Sequence, residues 1–273
     1  MTDGMGGAVG TPGAVGTPGT PGTPGTPGTP GTPGGPRWPV TEAEAVAEQE
    51  RIRAAADPVG PGPAPGQARR IAGVDVTYDE DGDLLVAAAV VLDAESLEVL
   101  EEAVHTGRSR FPYIPGLLAF RELPPVLAAL EKLGTPPDLV VCDGYGYAHP
   151  RRAGLAVHLG VLTGLPCFGV AKSPFVFDHT EPGPRRGDTS PLLDRSSTPA
   201  ETVGRALRTR PGVRPVFVSA GHGIGLDHAC AHTLRLTPRY RLPETTRGAD
   251  GLSRRILREI GQGLREPYGA AER

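Results

Sequence analysis

The sequence predicts an α/β protein built on a mixed β-sheet, in which three antiparallel strands are followed by parallel strands and helices cover both faces. Three strand-like segments follow one another closely between residues 70 and 105, and connections this short favour an antiparallel meander. Beyond residue 117, helical and strand-like segments alternate, which is typical of a sheet that carries a helix after each strand. This order of elements is the ribonuclease-H-like arrangement.

The first predicted element is a helix over residues 40–56. Thr41 can act as its N-cap, and Glu44, three residues later, completes a capping box. A linker rich in proline and glycine, residues 57–66, separates this helix from the sheet. The three antiparallel strands are then predicted at residues 70–76, 84–92 and 97–105, joined by turn-rich segments at 79–83 and 93–96.

A helix is predicted over residues 117–133, which Pro124 and Pro125 are expected to kink or interrupt. Residues 176–199 are rich in Pro, Gly, Asp and Ser, and this composition predicts an irregular surface loop. The remaining predicted elements are strands at 139–142, 166–170 and 213–219 and helices at 153–162, 200–209, 227–236 and 248–264.

The start of the chain differs from the rest in composition. Glycine recurs at every third position from Gly4 to Gly34, with Thr-Pro-Gly units between them. This is formally a collagen-like period, but the run is short, so a disordered, extended tail over residues 1–37 is the favoured interpretation. We expect one folded domain over residues 38–266 and a short C-terminal tail over 267–273.

Charge is distributed unevenly along the chain. Residues 1–143 contain 9 Lys and Arg against 20 Asp and Glu, whereas residues 144–273 contain 19 against 11. A basic half on a protein of net charge −3 is suited to a polyanionic partner. Almost all cations are arginine, so the two lysines, Lys132 and Lys172, invite attention.

Cysteine usage and hydropathy predict a cytoplasmic protein. Cys142, Cys167 and Cys230 lack metal-ligand spacing, so buried thiols in a reducing compartment are expected. No signal peptide is visible, and the longest apolar run, residues 84–92, is too short to span a bilayer. No membrane partner is therefore expected.

Carboxylates fall at positions where a site can form. Asp143 follows the apolar run 139–142 and precedes Gly144, at the strand end where crevices open in α/β sheets. An ordinary Asp turn is the alternative. Asp75 lies inside the first strand, where a charge is costly unless it is paired or binds a metal. Glu122, on the helix after the meander, either points over the same strand ends or is a solvated surface charge.

Carboxylates that converge from separate elements are suited to Mg²⁺ or Mn²⁺ rather than zinc. Such ions can activate water for phosphodiester hydrolysis. His149, Arg151 and Arg152 crowd the start of the next predicted helix, where cations gain nothing from the helix dipole. An anionic group is therefore expected to face them.

Six motifs give the chain a specific resemblance over about residues 40–262. They are IAGVDVTY (71–78), FPYIPGLLAFRE (111–122), DGYGYAHPRRAGLAVHLG (143–160), GVAKSPF (169–175), SAGHGIGLDHA (219–229) and YRLPETTRGAD (240–250). In this order they resemble the motifs of the endonuclease V family. Thr245 stands where the family more usually has proline, and Gly223 and Gly225 stand where it commonly has bulkier residues.

The resemblance implies a ribonuclease-H-like DNA repair endonuclease that requires Mg²⁺, for which Mn²⁺ can substitute. It implies nicking of DNA at the second phosphodiester bond 3′ to deoxyinosine, the deamination product of adenine, leaving 3′-hydroxyl and 5′-phosphate ends. A monomer is expected. The alternatives are a ribonuclease for inosine-containing RNA and an inosine-binding protein that does not cut. A transposase or junction resolvase would share the carboxylates but has no reason to carry the Pro-Tyr-Ile-Pro segment.

The resemblance also assigns roles to individual residues. It makes Asp75 and Asp143 metal ligands, adds Glu122 and Asp250 to the acidic cluster, and places Lys172 near the scissile phosphate. The implied substrate-binding residues are a wedge that enters the duplex, Pro112, Tyr113, Ile114 and Pro115, a base pocket containing Gly116, Leu118, Gly144 and Gly169, and His149 beside the site.

Overall fold

A computed structural model describes residues 38–79 and 84–263. The described strands are β1 (Arg70–Tyr78), β2 (Leu84–Asp93), β3 (Val99–Arg108), β4 (Leu139–Asp143), β5 (Cys167–Ala171), β6 (Thr189–Asp194), β7 (Glu201–Leu207) and β8 (Val216–His222). The described helices are α1 (Glu42–Ala55), α2 (Ala119–Leu130), α3 (Leu155–Thr163), α4 (Leu226–Arg235) and α5 (Glu244–Gly263). The predicted tails at 1–37 and 267–273 lie outside the described residues.

The strands form one mixed sheet in the order β3-β2-β1-β4-β5-β8-β7-β6. The antiparallel meander of β1, β2 and β3 is confirmed, as are the parallel pairs β1–β4 and β4–β5. Beyond β5 the sheet differs from the prediction, because β8, β7 and β6 each pair in antiparallel fashion.

Two predicted elements are wrong in this last part of the sheet. Residues 200–209 form strand β7 rather than a helix, and the segment 176–199 contains strand β6. The helix formers Ala, Arg and Leu in this segment favoured a helix, but Thr202 and Val203 are β-branched. Pairing with β6 and β8 buries Val203 and stabilises the strand over the helix.

Alternation along the strands explains why helices cover both faces of the sheet. In β1, Ala72 and Val74 join a core cluster with residues of α2 and α3, whereas Ile71 joins a cluster with residues of α4. Side chains alternate between faces with a period of two, so the apolar run of β1 supplies both cores. On the α4 face, α5 packs its Ala249 and Leu252 against β2.

Helix α2 runs without interruption through Pro124 and Pro125, contrary to the expected break. Leu123, Val126 and Leu127 are buried against the sheet on either side of this pair. We attribute the continuity to this apolar stripe, since packing of an amphipathic face contributes most of the stability of a protein helix.

Other predictions agree with the structure. Helix α1 has the capping box of Thr41 and Glu44. The three cysteines are buried and unpaired. None of the described helices combines the length and the apolar character that crossing a bilayer requires.

Helix α5 approaches β1 so closely at Gly73 that no side chain fits there. A β-carbon built on Gly73 would lie 2.2 Å from the carbonyl carbon of Thr245, far inside van der Waals contact. This approach sets the height of α5 above the strand that carries Asp75.

We therefore expect Gly73→Ala to lower the free energy of unfolding by ~1–3 kcal/mol, the usual cost of overpacking. The matched control is Gly251→Ala in α5, where a β-carbon meets nothing within 4 Å. That change should raise stability by up to ~1 kcal/mol through helix propensity. Urea denaturation of both variants checks the pair, and equal effects would contradict the close approach.

Candidate active site

Asp75 and Asp143 lie side by side on two central strands of the sheet. We use the word edge for the side of the sheet at which β4 and β5 end, not for an outermost strand. Strands β1 and β4 are parallel, and Val74 is the register partner of Cys142. The next residue on each strand is the aspartate, so Asp75 within β1 and Asp143 at the end of β4 lie side by side where the parallel pairing of the two strands ends. This is the crevice that open α/β sheets offer to ligands.

Two further carboxylates reach this edge from opposite faces of the sheet. Glu122 comes from α2 and Asp250 from α5. Burial and the charges of Asp143 and Asp250 raise the pKa of Asp75 to about 7. Burial and the charges of Asp75 and Asp143 raise the pKa of Glu122 to about 8. Glu122 is therefore a member of the cluster and not a solvated surface charge.

Two cations flank the carboxylates. The Lys172 ammonium lies 2.5 Å from Asp143 Oδ2. On the other side, Arg254 Nε donates to Asp250 Oδ1 at 2.8 Å. Ser253 Oγ lies 3.4 Å from Asp75 Oδ2, and it is the only neutral side chain hydrogen bonded to Asp75 within the described chain.

The donor set of the cluster fits a hard divalent cation. All four groups are carboxylates, and burial, together with the charges of neighbouring carboxylates, raises the pKa of both Asp75 and Glu122. Among the described residues, no three acidic, His or Cys side chains are already arranged around a point that could hold an ion. Lys172, bound to Asp143, occupies the place of a counter-ion.

A cavity of about 210 Å³ opens directly beside Asp143. It is lined by residues from α1, the 111–119 segment, the loop after β4 and the start of α3. Of the predicted pocket and wedge residues, the lining includes Tyr113, Pro115, Gly116, Leu118, Gly144 and His149. Pro112, Ile114 and Gly169 are not part of it.

Gly169 lies behind the cavity wall. A β-carbon built there would come within 2.5 Å of the Gly144 carbonyl oxygen, so this glycine lets the loop after β4 lie flat on β5. Gly146 has a similar packing role against Ala220. Gly169, which the resemblance assigns to the base pocket, and Gly146 therefore allow close packing of the backbone around the strand ends.

The Gly116 carbonyl oxygen is held by three side chains. Gln49 Nε2 donates to it at 2.8 Å and Arg151 Nη2 at 3.0 Å, and His149 Nε2 lies at 3.1 Å. Gly116 has φ +81°, which glycine adopts without strain. Burial and the charge of Arg151 lower the pKa of His149 to about 4, so the imidazole is neutral at pH 7.

For Arg152, the anionic groups expected to face this basic segment are carboxylates of the protein itself. Arg152 pairs with Glu201 at 2.6 Å and also with Asp194. Arg151 is bound by Gln49 and the Gly116 carbonyl. Both arginines therefore help to hold the loop in place, Arg152 through carboxylates and Arg151 through neutral groups.

The predicted wedge divides into two parts. The Tyr113 side chain is 68% exposed at the mouth of the cavity. Ile114 packs instead against a core cluster that contains Phe111, Leu117 and Phe120. Its neighbour Tyr113 is thus free to meet a partner, whereas Ile114 caps the core.

Sequence reasoning missed several residues of the cavity wall, of which Phe175 and Gln49 make the most specific contacts. Phe175, 39% exposed, stacks on His149 with ring centroids 6.0 Å apart and contacts Tyr145 at 5.2 Å. The sequence signal that could have identified Phe175 is an aromatic residue directly after Ser173-Pro174 and close to Lys172. Gln49 is buried on α1, and nothing in the pattern of that helix distinguished it from a surface residue.

A wider groove of about 560 Å³ lies away from the carboxylates, between the 58–61 linker and β7. It contains none of the predicted site residues. Its charged groups are paired within the protein, as in the contact between Arg205 and Asp227 at 2.5 Å. The cavity beside Asp143 is therefore the better candidate.

Comparison with known proteins identifies a family to which the chain is similar. A family model described as Endonuclease V matches residues 57–251. The Endonuclease V of Streptomyces coelicolor is 64% identical over 222 residues, which cover 81% of this chain and 93% of that protein.

Solved structures agree with this match. The crystal structure of the Endonuclease V from Streptomyces avermitilis is similar with a TM-score of 0.78 and 61% identity, over 82% of this chain and 96% of that one. The Endonuclease V of Ciona intestinalis, solved in complex with a 24mer DNA containing an inosine followed by a ribo-adenosine, has a TM-score of 0.69 and 28% identity, over 80% and 98% of the two chains. With its ribonuclease-H-like sheet, the chain belongs to the Endonuclease V family.

Proposed function

We propose that this protein is a repair endonuclease that nicks DNA at the second phosphodiester bond 3′ to deoxyinosine, leaving 3′-hydroxyl and 5′-phosphate ends. The observation that carries the proposal is the acidic cluster at the sheet edge, directly beside a cavity of about 210 Å³. Membership of the family and the inosine DNA bound by the Ciona protein support the choice of substrate.

The carboxylates would hold Mg²⁺, or Mn²⁺ in its place. Asp75 and Asp143 are the proposed ligands, with Glu122 and Asp250 completing the cluster. A bound ion of this kind supplies an activated water and stabilises charge on the phosphate oxygens. Lys172 would then have a second role, because its ammonium, once released from Asp143, would contact the scissile phosphate.

The cavity would receive the extruded base. His149 contributes its ring face rather than a hydrogen bond to the base, because both of its nitrogens are engaged: Nε2 with the Gly116 carbonyl and Nδ1 with the Arg151 N–H. Phe175 stacks on the outer side of the same ring. Tyr113, exposed at the mouth, would fill the space that the base leaves, recovering part of the cost of unstacking.

An RNA substrate is the second candidate. The nucleotide that follows the inosine in the Ciona complex is a ribo-adenosine, so a 2′-hydroxyl at that position is compatible with binding in a related protein. In either case one chain suffices, since every residue named in the proposal comes from the same polypeptide. We propose a monomer acting in the cytoplasm.

The direct test is to incubate the protein with duplexes that differ only in one inosine or adenosine, in DNA and in RNA form, with Mg²⁺ or with EDTA. We expect a single Mg²⁺-dependent cut in the inosine DNA, one nucleotide beyond the bond that adjoins the lesion on its 3′ side. Asp75→Asn and Asp143→Asn should abolish this cut while inosine DNA still binds. Glu50→Gln, an exposed carboxylate on α1, should cut as the wild type does.

Cutting by either aspartate variant at the wild-type rate would contradict the metal assignment. Preferential cutting of the inosine RNA would select the second candidate.

The crowded carboxylates also predict how stability depends on pH without metal. Asp75 has a folded-state pKa of about 7 and an unfolded value of 3.8, so the folded protein binds the extra proton. Its contribution to stability is present below pH 4 and is lost as the pH rises through 7. In EDTA, the free energy of unfolding should fall between pH 4 and 8, with Glu122 acting in the same direction.

Urea denaturation across this range checks the prediction. Asp75→Asn should flatten the pH dependence, and Mg²⁺ should restore stability to the wild type above pH 7 because it binds the folded state. The control Glu50→Gln removes an exposed carboxylate on α1 and should leave the curve unchanged. A wild-type curve that rises over the same interval would contradict the crowding.

The divided wedge predicts opposite effects for adjacent residues. Tyr113→Ala should weaken binding of inosine DNA by ~1–3 kcal/mol, the usual cost of losing one base–aromatic stack, with little change in melting temperature. Ile114→Ala should lower the free energy of unfolding by ~1–3 kcal/mol through lost packing and leave the affinity of the folded protein unchanged. Affinity and melting temperature measured on both variants separate the roles, and a reversed pattern would show that Ile114 is the inserted residue.

A further inference from the structure

Beyond Lys172, the edge of the sheet that carries the carboxylates continues into a strongly basic surface. Two segments form it: the 208–215 turn between β7 and β8, and the 237–243 segment between α4 and α5 with the first turn of α5. We call it the arginine surface and define it as Arg210, Arg214, Arg239, Arg241 and Arg247 together with Tyr240.

Topology places this surface at the same edge as the active site. Strand β8 is antiparallel to β5, with Ala171 paired to Phe217. The start of β8 and the turn before it therefore lie next to the carboxyl end of β5, where Lys172 follows. The contact is direct, since Arg241 Nη2 donates to the Lys172 carbonyl at 2.5 Å.

The positive charge of the surface is largely uncompensated. Arg241 gives its remaining hydrogen bonds to the carbonyl oxygens of Arg214 and Pro215, which carry no net charge. Within the described chain, no carboxylate forms an ion pair with Arg241 or Arg214. Glu244 is the one acidic residue in these two segments, at 3.7 Å from Arg239 and 3.6 Å from Arg247. Burial and the charge of Arg214 lower the pKa of Arg241, as expected where like charges gather.

The surface also presents an aromatic plane. Tyr240 is 43% exposed, and the Arg247 guanidinium lies 3.6 Å from the centre of its ring. Stacked aromatic and guanidinium groups beside a row of cations are features with which proteins bind single strands of nucleic acid, through base stacking and phosphate contacts.

We propose that the arginine surface binds the sugar-phosphate backbone of the cleaved strand on the 3′ side of the scissile bond. The inference rests on the proposed function. The base cavity lies on the α1 and α3 side of the carboxylates, whereas the arginine surface lies past Lys172, beside α5. When the lesion occupies the cavity, the strand is cut on the 3′ side of the lesion. The part of the strand beyond the cut then reaches the arginine surface.

The test compares binding of inosine DNA in EDTA at several salt concentrations, by fluorescence anisotropy. One substrate has a long 3′ arm, and the other ends just after the scissile bond. On the long-arm substrate, the double variant Arg214→Gln/Arg239→Gln should reduce the slope of log Kd against log salt by ~1 for each phosphate that the protein no longer neutralises. On the short-arm substrate the slope should match that of the wild type.

Arg69→Gln is the control variant, because this exposed arginine precedes β1 at the opposite edge of the sheet, and it should leave both slopes unchanged. Nicking of the long-arm substrate by the wild type is measured in parallel with Mg²⁺. Failure of the wild type to nick overturns the proposed function. Wild-type nicking with an unchanged slope in the double variant, or with equal reductions on both substrates, overturns the assignment of the arginine surface alone.

Discussion

The register between β1 and β4 is the constraint on which the candidate site depends. It sets Asp75 beside Asp143 where the parallel pairing of the two strands ends, and a slip of one residue would turn Asp75 to the other face of the sheet. The apolar residues that precede both aspartates fix this register, because they are buried in cores on both faces. Hydrophobic packing thereby holds together two like charges that would otherwise separate.

The same constraint explains why the site is assembled from both faces of the sheet. Glu122 approaches from α2 and Asp250 from α5, and each helix is positioned by its own core. The absence of a side chain at Gly73 lets α5 come close enough. The result is a concentration of carboxylates that is electrostatically costly alone and favourable with a cation, as the proposed binding of a metal ion requires.

How much of this could be predicted from the sequence depends on the range of the interactions involved. Strands β1 to β5 carry long apolar runs or clear turns, so the local sequence pattern identified them. Asp75 was then recognised as a charge inside an apolar strand, and Asp143 as a carboxylate at a strand end. The prediction of a helix in place of strand β7 was wrong because pairing with β6 and β8 stabilises the strand, and the local sequence pattern does not show that pairing. The role of Gln49 was not predicted for a similar reason. Its side chain donates hydrogen bonds to Gly116 and Ala153, which are far along the chain and come close only in the folded protein.

The cavity depends on helix α1, although this helix lies outside the part of the chain that matches the family model. The helix ends at Ala55, before the segment 57–251 that matches the family model, yet Gln49 forms part of the cavity wall and anchors the loop that carries Tyr113. The carboxylates, by contrast, all lie within the matched segment. Of the residues that line the cavity, Gln49 alone lies outside the matched segment. A change at Gln49 would therefore alter the cavity wall while every carboxylate of the cluster stays in place.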